Sequence, residues 1–171
     1  NMVYDYLYAD PLHVMAFLEN HDTDRFLKNG QNVPALKQAM TLLLTTRRIP
    51  QLYYGTEVLM NGTKEITDGY VRKDFPGGWK GDARNCFTAE GRTAAENDMF
   101  NWTKTMLHWR RSSDVSARGS MVHFTPINGC YVYARQHQGK TVLVILNGTD
   151  KEVELPLDRY KAVIGKVSSA Q

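Results

Sequence analysis

The sequence predicts an α/β part followed by an all-β part, and three observations carry that expectation. An apolar run, Val14 to Leu18, precedes a wide apolar helical face between Ala35 and Thr46. A short apolar stretch, Gln51 to Tyr54, follows, so the order reads strand, helix, strand. Beyond about Ser112 the apolar spacing changes from helical to alternating, the period of half-buried strands. At the end of the first strand, Glu19, His21, Asp22, Asp24 and Arg25 place five ionisable groups within seven residues.

Taken in order, residues 1–12 are mixed, and Asp10-Pro11 marks a turn. Val14-Met-Ala-Phe-Leu18 has no polar alternation, which suits a strand buried on both faces with helices outside. Polar residues at the end of such a strand are what an α/β barrel carries at its catalytic rim. Gly30 to Asn32 form a loop, and Pro34 is placed for the first turn of a helix. Ala35, Leu36, Ala39, Met40, Leu42, Leu43 and Leu44 then form one broad apolar face. Residues 60–92 are glycine-rich and without periodicity, the signature of a long functional loop. Thr93 and Glu96 have capping-box spacing, and Met99, Phe100, Thr103, Met106, Leu107 and Arg110 repeat at helical intervals. Trp102 and Trp109 widen that face and read as core. Short strands are expected at Met121 to Phe124, Gly129 to Arg135, Lys140 to Leu146, Glu152 to Leu155 and Lys161 to Ile164. Asn128-Gly129 and Asn147-Gly148 punctuate them, and together they suggest an antiparallel β-sandwich.

Composition narrows the function classes. The chain has 171 residues, enough to bury a core, with ordinary apolar and charged fractions of 42% and 23%. Its net charge of +3 is small and its Lys and Arg are dispersed, so neither nucleic acid nor an acidic membrane surface is an expected partner. No stretch approaches the ~18 apolar residues that a membrane span needs. The first residues, Asn1-Met-Val-Tyr-Asp5, do not read as a signal peptide, and compartment stays open. The five histidines show no metal-binding spacing, so no cofactor is expected in this segment. Cys86 and Cys130 are expected as two free thiols ahead of a disulfide, which their spacing leaves open.

The decamer Phe17 to Phe26, FLENHDTDRF, resembles the strand-end Asn-His-Asp segment of the α-amylase superfamily of glycoside hydrolases. A second block, Ile49-Pro-Gln-Leu-Tyr-Tyr-Gly-Thr-Glu57, resembles that family's eighth barrel strand and the turn after it. Order, spacing and the intervening helix agree, and the look is that of the neopullulanase and cyclomaltodextrinase branch and of gut-bacterial starch enzymes. The resemblance implies the C-terminal part of a (β/α)8 barrel, about strands seven and eight, over residues 1–112. A small Greek-key β-sandwich would follow over residues 113–171. One departure is Arg48, where the family usually has glycine.

Retaining cleavage of a glycosidic bond takes a nucleophile and an acid/base carboxyl about 5 to 5.5 Å apart, helped by hydrogen bonds that tighten as charge develops on the sugar. By resemblance Asp22 is the transition-state-stabilising carboxylate, and His21 holds the same sugar. Asn20 braces the turn and Arg25 neutralises neighbouring carboxylates. Asp68 and Arg72 match an Asp-x-x-x-Arg pair that shapes the cleft, and Tyr54 helps to floor it. The plainer alternatives are a solvated helix cap for Asn20 to Asp22 and a solvated loop pair for Asp68 and Arg72. Glu19 and Asp24 fit no catalytic role and are expected as surface or salt-bridge residues.

No counterpart is present for the family's Gly-x-Arg-x-Asp nucleophile segment, its acid/base glutamate strand or its early Asp-x-x-x-Asn-His region. The resemblance therefore implies the C-terminal fragment of an α-glucan hydrolase, inactive alone, whose parent takes an α-glucan oligosaccharide and binds calcium through residues outside this segment. Two lone barrel strands would also leave exposed edges open to self-association. The alternative class is a non-catalytic carbohydrate-binding or structural module, with Tyr131 and Tyr133 on one sheet face.

Overall fold

The computed structural model describes residues 2–30 and 32–165. Two compact units divide the chain: one holds His13–Leu44 and Arg48–Trp109, the other Asn1–Leu12, Thr45–Arg47 and Arg110–Gln171.

In the first unit a three-residue strand β1 (Met15–Phe17) pairs in parallel with β2 (Ile49–Gln51), and Met15, Ala16 and Phe17 face Ile49, Pro50 and Gln51. Between them runs helix α1 (Val33–Thr45). Its entry is set locally: the Asn32 side chain accepts the Ala35 amide at 3.1 Å, and Pro34 needs no amide partner in the first turn. The broad α1 face expected from the sequence buries Leu36, Met40, Leu43 and Leu44 against Leu27 and Met99, with Ala16, Leu18, Leu52 and Trp102 around them. Met99 and Trp102 belong to α3 (Ala94–Ser112), whose start is the expected capping box. The Thr93 amide donates to Glu96 Oε2 at 2.8 Å, and the Glu96 amide to Thr93 Oγ1 at 3.3 Å. Between β2 and α3 the only α-helix among the described residues is the single turn α2 (Asp68–Val71); most of residues 60–92 are irregular, as expected.

Two expectations need correction here. The strand after α1 is Ile49–Gln51 rather than Gln51 to Tyr54, because Leu52 to Tyr54 leave the β1 register and Gly55 turns left-handed at φ 83°. Nor is β1 buried on both faces: Ala16 packs inward, but Met15 is 56% and Phe17 42% exposed. Among the described residues no third strand flanks the pair, and one face stays uncovered. Arg48, at the position where the resemblance puts glycine, is buried, and β2 still holds its parallel register.

The second unit is built on an antiparallel meander of β3 (Ser120–Ile127), β4 (Cys130–His137) and β5 (Lys140–Asn147). Both hairpins turn through two consecutive positive-φ residues, Asn128-Gly129 and Gln138-Gly139, which suits tight turns between twisted strands. Val132, Ala134, Tyr160 and Val163 form the core, and the Tyr160 ring meets Phe124 edge-on at 4.9 Å. Lys161–Ile164 is helix α5 rather than a strand, since it carries Val163 into that core and stops at left-handed Gly165. Residues 152–155 are assigned to no strand, so the described residues form one antiparallel sheet and not the two-sheet sandwich expected. Helix α4 (Asp114–Arg118) was not expected, although Ser113 followed by an acidic first turn is a start signal; the Ser113 hydroxyl accepts the Ser116 amide at 3.3 Å. Both cysteines are buried free thiols.

Tyr131 and Tyr133 share a face, with ring centres 5.3 Å apart, but they offer no open platform. Tyr133 is wholly buried and bonded to Thr45, and the Tyr131 hydroxyl meets His123 Nδ1 at 2.6 Å. A glycan-binding face carried by that pair is therefore not present.

Candidate functional site

The site grows from the end of β1, where the chain leaves the sheet in a tight turn. Asn20 braces that turn through its Oδ1, which accepts the Asp22 amide at 2.8 Å. Thr23 closes it from the other side, its Oγ1 accepting the Asn20 amide at 3.0 Å. With backbone needs met locally, the His21 and Asp22 side chains point outward and are 64% and 63% exposed. His21 Nε2 lies 3.2 Å from Asp22 Oδ2.

Arg72 joins this turn to the loop after α2. Its Nη2 contacts Asp22 Oδ1 at 3.1 Å and Asp68 Oδ2 at 3.2 Å, and its Nε donates to the His21 carbonyl at 2.8 Å. Two carboxylates from distant parts of the chain, Asp22 and Asp68, thus share one guanidinium. The Asp68–Arg72 pair is an i, i+4 contact at the end of a single helical turn. Lys64 adds a second cation, reaching the Asp22 carbonyl and the Asp68 carboxylate at 3.2 Å each. Tyr54 is partly exposed, and its hydroxyl donates to the Lys73 carbonyl at 2.8 Å.

Chemically, this cluster is a surface of fixed acceptors and donors. A guanidinium fork between two carboxylates, with an imidazole beside one of them, matches the paired hydroxyls of a sugar ring. It is not an acid/base pair: both carboxylates lie at the exposed surface against one guanidinium, whereas a general acid stands in an apolar pocket.

Arg25 stands against a neighbouring carboxylate, Glu19, as the resemblance implies, but it does so beneath the turn and not as a substrate-binding residue. It is fully buried, so it does not reach a ligand arriving from solvent. Its Nε donates to the Val71 carbonyl at 3.1 Å, and its Nη1 to the Tyr54 carbonyl at 2.6 Å and to Glu19 Oε1 at 3.4 Å. The guanidinium carbon lies 4.0 Å from the Tyr53 ring centre and 4.8 Å from that of Tyr54. Those ring faces offset the burial of Nη2, which has no hydrogen-bond partner among the described residues. Glu19, expected as a surface or salt-bridge residue, is a buried salt-bridge residue. It accepts the Phe26 amide and, at 2.5 Å, the Thr56 hydroxyl. Its signal was position, since Glu19 follows Leu18, which packs against the core, and a carboxylate carried inward there is costly unless paired.

Asp24 anchors the same turn to the next loop, accepting from the Lys64 amide at 2.7 Å and Thr63 Oγ1 at 3.2 Å, with Lys28 Nζ at 2.8 Å. The Lys28 ammonium and the Lys64 amide hold its carboxyl down at about 2, from an ordinary 3.8. A depressed carboxyl favours folding above its unfolded value, and that contribution is lost as pH falls from about 3.8 toward about 2. Asp24→Asn is therefore expected to flatten the loss of stability over that window, measured by urea unfolding at stepped pH. An unchanged slope would show the anchor to be inert.

Among the described residues no group of three or more His, Cys, Asp or Glu side chains is placed to hold a metal ion, and no helix is long and apolar enough to cross a membrane.

Residues 121–171 match the Cyclo-malto-dextrinase C-terminal domain family. Across nine-tenths of its length the chain is also 30% identical to a cyclomaltodextrin glucanotransferase from Bacillus sp. (strain 6.6.3). The chain belongs to the α-amylase family. A cyclomaltodextrinase from Thermoanaerobacter pseudethanolicus is 30% identical over 135 residues, 78% of this chain. The chain spans only about a fifth of these two α-amylase-family relatives, 20% and 21% of their lengths. Among solved α-amylase-family structures, the α-amylase from Geobacillus thermoleovorans complexed with acarbose superposes with a TM-score of 0.68. It is 30% identical, and the match covers 92% of this chain and 34% of that one.

Proposed function

We propose that the chain is the C-terminal piece of a retaining α-glucan hydrolase acting on starch, maltodextrin, cyclodextrin or pullulan. On this reading residues 1–112 are the end of a (β/α)8 barrel, with β1 and β2 as about its seventh and eighth strands, and residues 113–171 are its C-terminal β domain. The observation that carries the reading is Arg72 bridging Asp22 and Asp68 beside His21 at a strand end. The exposed face of β1, where Met15 and Phe17 lack cover, supports it further, as does the chain's one-fifth share of its relatives' length.

In this role Asp22 receives ring hydroxyls of the sugar at the cleavage point and gains most as positive charge develops there. His21 donates to the same sugar, while Asn20 keeps the turn in shape. Asp68 and Arg72 border the cleft, and Tyr54 lies at its floor. Arg25 serves from beneath. The nucleophile and the acid/base come from the part of the parent outside this sequence, as does any calcium site.

The purified 171-residue chain is accordingly expected to release no reducing sugar from soluble starch or cyclodextrin, while the N-terminally extended polypeptide does. Release by the pure chain, scaling with its concentration, would overturn the assignment. So would an extended polypeptide inert on every α-glucan offered.

A further inference from the structure

The geometry points to Arg25 and Glu19 as a buried clamp that positions Arg72 over Asp22. It rests on the reading of Asp22 given above only for its catalytic consequence. Val71 and Arg72 are adjacent in sequence, so whatever holds the Val71 carbonyl sets where the Arg72 side chain begins. That holder is Arg25 Nε at 3.1 Å, reaching across 46 positions of sequence. The same fork fixes the Tyr54 carbonyl through Nη1 at 2.6 Å, so both ends of the segment 54–71 are referred to one rigid plane.

Glu19 orients that plane. Its Oε1 meets Arg25 Nη1 and also accepts the Thr56 hydroxyl, while Oε2 takes the Phe26 amide. The pair therefore ties four backbone segments together around one turn: 19, 26, 54–56 and 71. Two further links run in parallel. The Arg25 amide donates to the Gly62 carbonyl at 3.0 Å, and Gly62 lies so close to Tyr70 that an added Cβ would come within 2.8 Å of the Tyr70 carbonyl oxygen. Arg72 emerges from this frame with its Nε on the His21 carbonyl and its Nη2 between Asp22 and Asp68. Neither Arg25 nor Glu19 is open to a ligand arriving from solvent, since both are buried. They are positioning residues.

Lysine in place of Arg25 keeps the charge beside Glu19 but has no fork with which to reach Val71 and Tyr54 together. This separates positioning from charge balance. In the isolated chain, nitrogen-edited NMR of arginine side chains reads the Arg72 Nε–H directly, because its bond to His21 slows exchange with solvent. Arg25→Lys is expected to speed that exchange by about tenfold or more while the β4 and β5 amides stay unshifted. Glu19→Gln provides a second variant with the same expectation. An Arg72 signal unaltered in either folded variant would overturn the clamp, whatever the parent's activity.

In the N-terminally extended polypeptide, Arg25→Lys is expected to lower kcat by about a hundredfold, the scale of a misplacement near 1 Å, with KM little changed. In an Arg72→Ala background the same substitution should add almost nothing, because both act through one contact. Additive losses would show that Arg25 supports the fold without aiming Arg72. Full activity in both Asp22→Asn and Arg72→Ala would instead remove the functional reading of the site, while the exchange rate of the Arg72 Nε–H would still decide for or against the clamp.

Discussion

Asp22→Asn in the extended polypeptide is expected to cut kcat on α-glucan by about a thousandfold, with KM within a few-fold of the parent value. The carboxylate lies at the mouth of the site, 63% exposed, with Arg72 on one oxygen and His21 by the other. Each oxygen still has acceptor capacity for a sugar hydroxyl. The amide keeps the shape and loses the charge, and it offers one acceptor where there were two. Hydrogen bonds to ring hydroxyls that strengthen in the transition state are worth several kcal/mol, and each ~1.4 kcal/mol is a factor of ten. Because those bonds strengthen only as charge develops, the loss appears in kcat rather than in ground-state affinity. Initial rates over a range of starch concentrations, with circular dichroism as the check on folding, measure both constants. A variant within tenfold of the parent would show that Asp22 does not carry transition-state charge.

The largest expected effect on stability lies in the other unit. Arg135 is almost wholly buried on β4, and burial pushes its guanidinium down to about 10. Carbonyls rather than a carboxylate hold it: Thr45 at 2.7 Å, Ser116 at 3.0 Å, and Gly119, which accepts from both Nε and Nη2 at 3.2 and 2.9 Å. Arg135→Met keeps most of the volume but leaves three carbonyls short of a donor, each worth about 1 to 3 kcal/mol when unpaired and buried. Part of that is returned by no longer burying a charge, so a net loss of ~3 kcal/mol is expected. At roughly 2 to 4 °C per kcal/mol for a chain of this size, the thermal midpoint falls by ~6 to 12 °C. A midpoint within about 2 °C of the parent, well short of that fall, would mean that water or backbone movement replaces the arginine.

Some of this molecule could be read directly along the chain. Helix α1 was legible because seven apolar residues share one face and Pro34 sits at its entry. The start of α3 was legible because a capping box is a local device, complete within four residues. The Asn20-His21-Asp22 turn was likewise self-contained, since Asn20 and Thr23 satisfy its backbone without help from elsewhere.

The irregular loop was legible as a loop, but its internal order was not, because that order comes from single contacts that follow no period. Arg92 donates to the Cys86 carbonyl at 2.9 Å, Asn97 to the Ala89 carbonyl at 2.8 Å, and the Cys86 amide to the Pro76 carbonyl at 2.7 Å. Near the C-terminus, alternation at Lys161 to Ile164 looked like a strand. Placing Val163 in the core decided for a helical turn.

Residue types and their spacing along the chain were enough to set Asn20, His21 and Asp22 at the end of β1 and Asp68 four residues from Arg72, whereas the helical turn α2 that joins that pair was not expected. Burial and reach were decided only in three dimensions. Arg25 and Asp22 are three positions apart in one turn, yet one is sealed beneath it and the other faces solvent. What separates them is the Val71 carbonyl, 46 residues away, together with Glu19 and the tyrosine rings under the turn. A charge tolerates burial only where its partners already stand, and those partners arrive from distant parts of the chain when it folds.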